Sequence, residues 1–237
     1  MIKYVQIKQR FDVVQMQNEV KRLEAGSWIP HYNQKEYKGN WSLLPLRSIN
    51  GNVENGVSIH GSSLQKNMTY IDTPLLVNCT YLQSVIDFFE CEKMSIRLMK
   101  LDAGAYIKEH RDYEMSFEEG EARFHIPILS NPGVNFFIED EKIPMMQGEC
   151  WYLNLSLKHW VNNCGDTDRV HLVIDCIVNS WIKNLLTEKA ELRVVTSEKH
   201  EVIPYPDNDK IKIIRQLRLM NTAISNELAD KMNAEGN

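Results

Sequence analysis

Between Met94 and Val178 the chain is punctuated into short segments of alternating polarity. The strands predicted there are Met94–Leu101, Tyr106–His110, Ala122–Leu129, Val134–Ile138, Cys150–Asn154, Trp160–Asn162 and Val170–Val178. Turn-forming clusters separate them at Asp102–Gly104, Asn131–Gly133, Asp140–Lys142, Gln147–Gly148 and Asn163–Asp166. Many short strands at regular spacing predict a sandwich or a barrel. Closure into a barrel also removes the free edges that such strands would expose. A jelly roll or cupin-type barrel, mainly β with flanking helices, fits this pattern.

The flanks read differently. Ile2–Ile7 alternates as a short strand, and Asp12 is placed to cap a helix with Val13, Met16, Val20 and Leu23 on one face, ended by Gly26. Trp28–Arg47 is rich in aromatic and turn residues. It is expected to pack the flank of a sheet, the alternative being that Trp28, His31 or Arg47 lines a substrate mouth. Ile49–Gly61, with Asn52, Asn55 and its glycines, reads as a loop. Thr73–Phe89 has helical spacing at Leu76, Cys79, Leu82, Val85, Ile86 and Phe89 and is expected to back the sheet. Ile211–Met232 carries Ile213, Ile214, Leu217, Met220, Ile224, Leu228 and Met232 on one stripe, with Pro206 and Asp207 as start signals. Such a helix must bury its face, either on the outside of the barrel or against a second subunit in a homodimer. The organisation predicted is a single catalytic domain over 1–182 (flank 1–93, β core 94–182) with a C-terminal helical extension over 183–237.

Composition narrows the setting. A net charge of −5 gives no reason to expect nucleic acid or an acidic membrane surface as partner. No apolar run approaches the roughly 18 residues that span a bilayer. The N-terminal residues lack a signal-peptide core, so the cytoplasm is the expected location. Five cysteines without a Cys-x-x-Cys pair argue against a disulfide framework and against a structural zinc site.

The chemistry gathers inside the strand-rich segment. His110 and Asp112 are two residues apart, so in extended chain they point the same way. His159 follows 47 residues after Asp112. His-x-Asp with a distant His is the sequence form of the two-His-one-carboxylate facial triad, which holds non-haem Fe(II) and leaves one face open. Spacing alone leaves two unrelated surface polars and a stray His as the competing reading. The neighbouring strands weigh against it. In Arg123–Ile128, Phe124, Ile126 and Ile128 share one face while Arg123 and His125 share the other. In Arg169–Val178, Arg169, His171, Val173 and Asp175 share a face. Two strands that each aim an Arg and a His the same way suit a polar-lined barrel interior. His110-Arg-Asp112 also spells the start of a kinase catalytic loop, but Phe117 stands where that motif needs Asn.

Taken together, Ser95–Leu101 with Gly104, Ile107 and His110–Asp112, then Gly120–Ile128, Gly148–Asn154, His159–Asn162 and Arg169–Asp175, resemble the aspartyl/asparaginyl β-hydroxylase family of 2-oxoglutarate, Fe(II)-dependent oxygenases. Trp28–Arg47 is similar to N-terminal segments of bacterial members. The resemblance implies a double-stranded β-helix, with Fe(II), 2-oxoglutarate and O2 as cofactor and co-substrates. His110, Asp112 and His159 then match the iron ligands. Arg169 matches the residue that takes the far carboxylate of 2-oxoglutarate, which the planar fork of Arg suits. Arg123 and His125 match positions near the co-substrate or the substrate, and His171 shares the face of Arg169. Asn154 and Asn162 are either second-shell donors to the ligands or turn caps, and Trp151, Tyr152 and Trp160 are barrel packing. The carboxylate ligand departs from the peptide-directed hydroxylases, known for an iron site of two His. It resembles bacterial branches that include free-proline hydroxylases. The function implied is hydroxylation of an unactivated C–H on an amino acid or peptidyl side chain, with release of succinate and CO2. The alternative is a cupin-like metal or ligand-binding module without oxygenase activity, since fold does not fix function. Glu114, Glu118 and Glu119 read as a solvated loop, the alternative being a lid or a patch for a cationic substrate group.

Overall fold

The computed structural model describes residues 1–23, 28–60, 68–196, 207–219 and 223–234. The expected stop at Gly26, the end of the loop at Gly61 and the start signal at Pro206 lie outside these. The described strands are β1 (Ile2–Arg10), β2 (Ile29–Pro30), β3 (Tyr37–Lys38), β4 (Trp41–Ile49), β5 (Tyr70–Asp72), β6 (Lys93–Leu101), β7 (Tyr106–His110), β8 (Glu121–Leu129), β9 (Val134–Ile138), β10 (Glu141–Lys142), β11 (Glu149–Leu153), β12 (His159–Asn163), β13 (Arg169–Ile177) and β14 (Ala190–Val195).

They form two antiparallel sheets. The larger runs β14-β1-β11-β8-β13-β6-β4-β2, with β5 on β4, and the smaller runs β10-β9-β12-β7-β3. From β6 to β13 the chain passes back and forth between the sheets, giving the inner orders β11-β8-β13-β6 and β10-β9-β12-β7. That winding is a jelly roll, the double-stranded β-helix expected from the sequence.

Alternation then decides which side chains face the interior. Phe124, Ile126, Ile128, Leu172 and Ile174 point outward from the large sheet into one apolar cluster. Covering this face are helix Val13–Leu23 with Met16 and Val20, helix Thr80–Asp87 with Leu82, Val85 and Ile86, and helix Ser180–Glu188 with Ile182, Leu185 and Leu186. Asp12 caps the first of these, accepting from the backbone N–H of Val14 (2.9 Å) and Gln15 (3.1 Å). A second cluster fills the space between the sheets, with Leu43, Met99, Leu101, Ile107, Phe136, Trp151 and Val161 among its members. Each such side chain contributes about 1.5–3 kcal/mol on burial.

Several flanking expectations shift. Within Trp28–Arg47, Trp41–Ile49 is not merely flanking material: as β4 it extends the large sheet against β6. Asp140–Lys142 holds a two-residue strand paired with β9 as well as a turn. Thr73–Phe89 divides into a short 3-10 turn at Pro74–Leu76 and the helix Thr80–Asp87, because Pro74 takes a first-turn position. The boundary placed at 182/183 falls inside helix Ser180–Glu188, and β14 beyond it pairs with β1. The stripe over 211–232 is carried by two helices, Asp207–Leu219 and Ala223–Ala234, in place of one. A single rod of that length would run about 33 Å at 1.5 Å per residue. Folded back, its halves bury Ile213, Leu217, Ala229 and Met232 together against Ile49, Val57 and Ile59. No described helix is long and apolar enough to cross a membrane.

Candidate active site

The interior of the roll opens into a cavity of about 250 Å³ lined from both sheets, among others by Trp41, Arg97, Met99, Ile107, Phe136 and Val173. β7 and β12 are neighbours in the small sheet, and their pairing sets His159 directly opposite His110. Asp112 follows the end of β7. One ligand atom from each of His110, Asp112 and His159 lies within 4.8 Å of the others. The two imidazoles are 4.2 Å apart at their centroids.

Each ligand is held by what surrounds it. His110 Nδ1 is 2.8 Å from Lys108 O and His159 Nδ1 is 3.0 Å from Leu157 O, so both rings present Nε2 to the shared space. This is the usual arrangement behind a metal-bound histidine. Burial first, then His110, pulls the His159 imidazole down to about 3, leaving it a neutral donor. Asp112 Oδ2 accepts from Arg123 Nη1, while Oδ1 lies 3.6 Å from His110 Nε2. Burial alone would raise the Asp112 carboxyl, but Arg123 and the two ligand histidines hold it well below the usual carboxylate range. The donor set fits one divalent ion: two imidazoles and one ionised carboxylate gathered at one point.

Behind Asp112 lies a buried charge network. Asp175 is fully buried and takes Arg123 Nε (2.6 Å), Arg123 Nη2 (3.0 Å), Arg97 Nη2 (2.7 Å) and Ser58 Oγ (2.5 Å). Arg123 Nη2 also lies 3.2 Å from His60 Nε2, and the other nitrogen of His60 is 2.7 Å from Glu121 Oε2. Burial alone would raise the Asp175 carboxyl, but Arg123 and Arg97 hold it well below the ordinary carboxylate range. Arg123, expected near the co-substrate or the substrate, lines the cavity and is a partner of two carboxylates. It fixes one oxygen of Asp112 and leaves the other toward the histidines.

The opposite end of the cavity is wired differently. Arg169 is 2% exposed, its Nη2 lies 2.8 Å from His171 Nδ1, and its Nε has no partner. Among the described residues it makes no ion pair with a carboxylate. Burial alone pulls its guanidinium down to about 9, so it is still charged at neutral pH. His125 lies beside it, Nδ1 3.4 Å from His171 Nδ1, with Nε2 unpartnered. Burial, then Arg169, holds both imidazoles well below their usual range. His125 lines the cavity, whereas His171 stands behind Arg169 as its support.

The remaining expectations sort by contact. Of Trp28, His31 and Arg47, only His31 lines the cavity, stacked on Trp41 at 3.6 Å. Arg47 pairs with Asp72, and Trp28 lies under Lys100. Asn154 organises the turn at Ser156, and Asn162 accepts from Asn135 across the sheet, so neither reaches a ligand. Trp151 and Tyr152 are buried packing, and Trp160 stacks on Phe137. Glu118 accepts from the Ile2 backbone and Glu119 from Ser116, and neither lines the cavity. Ser58, His60, Arg97 and Glu121 had no predicted role. Arg97 carried a readable signal, a charge on the alternate positions it shares with the apolar Met99 and Leu101. Ser58 and His60 lie on a loop, where alternation gives no guide.

A jelly roll whose adjacent strands bring two histidines and a carboxylate within 4.8 Å of one another is a β-barrel with a candidate metal site. Comparison with known proteins narrows this. The family described as Aspartyl/Asparaginyl beta-hydroxylase matches residues 10–178, and the chain belongs to it. An L-proline cis-4-hydroxylase of Rhizobium meliloti (strain 1021) is 27% identical over 181 residues, which is 76% of this chain and 62% of that protein. The chain therefore covers less than two thirds of that relative's length. Among solved structures, a Pseudomonas putida prolyl-4-hydroxylase is similar over 76% of this chain and 95% of that one, at 12% identity and a TM-score of 0.46. A viral collagen prolyl hydroxylase from Paramecium Bursaria Chlorella virus-1 is similar over 74% and 96%, at 9% identity and a TM-score of 0.43.

Proposed function

We propose that this protein is a 2-oxoglutarate- and Fe(II)-dependent dioxygenase that hydroxylates an unactivated C–H of an amino acid or peptidyl side chain. The observation that carries the reading is Arg169: a buried cation without a carboxylate partner among the described residues, in the same cavity as a preformed two-His-one-carboxylate set. A metal-binding module has no use for that charge, whereas a dicarboxylate co-substrate supplies its missing partner. Family membership and the likeness to a proline hydroxylase support the same reading.

His110, Asp112 and His159 would hold the iron. Bound there with 2-oxoglutarate and O2, iron supplies the oxidative decarboxylation to succinate and CO2 that powers hydroxylation. The chain contributes position and dryness. Arg169 anchors the far carboxylate, with His171 bracing the guanidinium. Arg123 aims Asp112 by holding its second oxygen, and Asp175 in turn holds Arg123. Phe136, stacked parallel to the His159 ring at 6.2 Å, and Trp41 at 6.5 Å from His110 shield the ligands from water.

The test is aerobic incubation with Fe(II), 2-oxoglutarate and a panel of free amino acids, L-proline first, beside peptides containing Asp, Asn and Pro. Succinate release stimulated by one of these, with a product heavier by one oxygen atom, is the expected result. Folded, iron-loaded protein that consumes no 2-oxoglutarate with any of them contradicts the reading.

A further inference from the structure

One side chain at the cavity comes from outside the family-matched region 10–178. Ile213 lines the cavity and is 2% exposed. It is carried by helix Asp207–Leu219, which two separate contacts seat against the cavity wall. Lys212 Nζ donates to Asn33 Oδ1 at 2.7 Å, beside His31 and Tyr32 of the cavity wall. Ile213 and Leu217 also pack on Val57 and Ile59. Ser58, between those two, reaches Asp175, and His60, the next residue on, reaches Arg123. The helix therefore stands over the Asp112–Arg123–Asp175 end. Arg169 lies six residues from Asp175 along β13, about 20 Å of strand, at the opposite end.

The two ends then have different occupants. A dicarboxylate on Arg169 reaches the metal from one side, which leaves the side under Ile213 to the molecule being oxidised. A peptide would need two exits for its chain there. The space is only about 250 Å³, against about 300–1,000 Å³ for drug-sized pockets. We infer that Ile213 is a substrate-contact residue, and that its helix restricts the site to a small free molecule, such as a free amino acid, and excludes peptides. This inference rests on the metal-site reading given above.

Two measurements test it. The first uses Mn(II) alone with methyl-labelled isoleucine, Ile213 being assigned through Ile213→Val and Ile107 serving as internal reference on the same cavity. Mn(II) is expected to broaden both methyl signals. Broadening at Ile107 with Ile213 left sharp overturns the placement of Ile213. No broadening at either shows that the triad holds no metal, so the site reading fails and takes the inference with it. The second compares kcat/KM for the free amino acid that best stimulates succinate release, its one-methylene homologue, and the same residue inside a peptide. Ile213→Ala is expected to shift the ratio toward the larger amino acid by about 10-fold or more, the range commanded by one methylene in an apolar pocket. The 2-oxoglutarate concentration at half-maximal rate should not move. A ratio untouched by Ile213→Ala, or a peptide turned over by the unmodified protein as well as any free amino acid, overturns the inference.

Discussion

The two ends of the cavity both bury arginine, and they treat it in opposite ways. At one end Arg97 and Arg123 converge on Asp175, and Arg123 donates through Nη1 to Asp112. At the other, Arg169 has an imidazole for a neighbour and, among the described residues, no carboxylate. Buried charge is costly unless paired. The paired end is therefore complete within the chain and acts as scaffold for the ligand carboxylate. The unpaired end keeps an unmet electrostatic demand, which an anionic ligand can meet. Burial identifies both ends as important, but only the partners distinguish support from binding.

The largest effect should come from breaking the complete end. Asp175→Ala leaves the buried Arg97 without its counter-charge and Arg123 with Asp112 alone, a loss of about 3–5 kcal/mol by analogy with other broken buried pairs. At about 2–4 °C per kcal/mol for a chain of this size, thermal unfolding should fall by roughly 6–20 °C. Arg169→Met removes an unpaired charge, so calorimetry should show its midpoint unchanged or raised. A comparable fall in Arg169→Met would erase the distinction between the ends.

Next in size is ligand binding. Arg169→Ala should raise the 2-oxoglutarate concentration needed for binding by about 100-fold, within the 2–5 kcal/mol typical of truncating a buried charge pair. Metal affinity, read by titration in the same variant, should stay near that of the unmodified protein. The reverse pattern is expected of Arg123→Lys, which keeps the charge but loses the fork that orients Asp112. Its metal affinity should drop by about 10–100-fold, as when other hydrogen-bond partners of metal ligands are replaced, with little change in dicarboxylate binding once metal is saturating.

The smallest effect is in pH. The folded Arg169 guanidinium sits lower, at about 9, than in the unfolded chain. Its charged form binds the dicarboxylate, so affinity should be flat through neutral pH and decline as pH rises above 9. Without ligand the sign for stability is opposite: above pH 9 the folded state holds fewer protons than the unfolded one, so this group's contribution to stability rises with pH. Affinity that rises above pH 9 would contradict the role given to Arg169.

Much of this was legible in the sequence, for reasons that also explain what was not. The strands from β6 to β13, β10 excepted, could be read because alternation and turn residues bound each one, and the closeness of His110 and Asp112 because i and i+2 share a side. β4 was missed because its aromatic and turn-rich lead-in hid a strand that is buried along most of its length. Ser58 and His60 reach Asp175 and Arg123 across 117 and 63 residues of sequence, a relation that no local period encodes. The glutamates near Ser116 looked available for a cationic substrate, but Glu118 and Glu119 are used on the chain itself. The apolar stripe after Ile211 was visible, whereas its fold-back onto the cavity mouth depends on Val57 and Ile59, which the sequence left in a loop.

One measurement bears most directly on the contrast between the two ends. The protein is loaded with Fe(II) without oxygen, 2-oxoglutarate is added, and the visible spectrum is recorded for the unmodified chain and for Arg169→Ala. A metal-to-ligand charge-transfer band that forms in the first and is absent from the second at the same concentration is the expected result. A band of equal strength in both would show that the unpaired arginine does not receive the co-substrate, and no band in either would show that the triad is not an oxygenase centre.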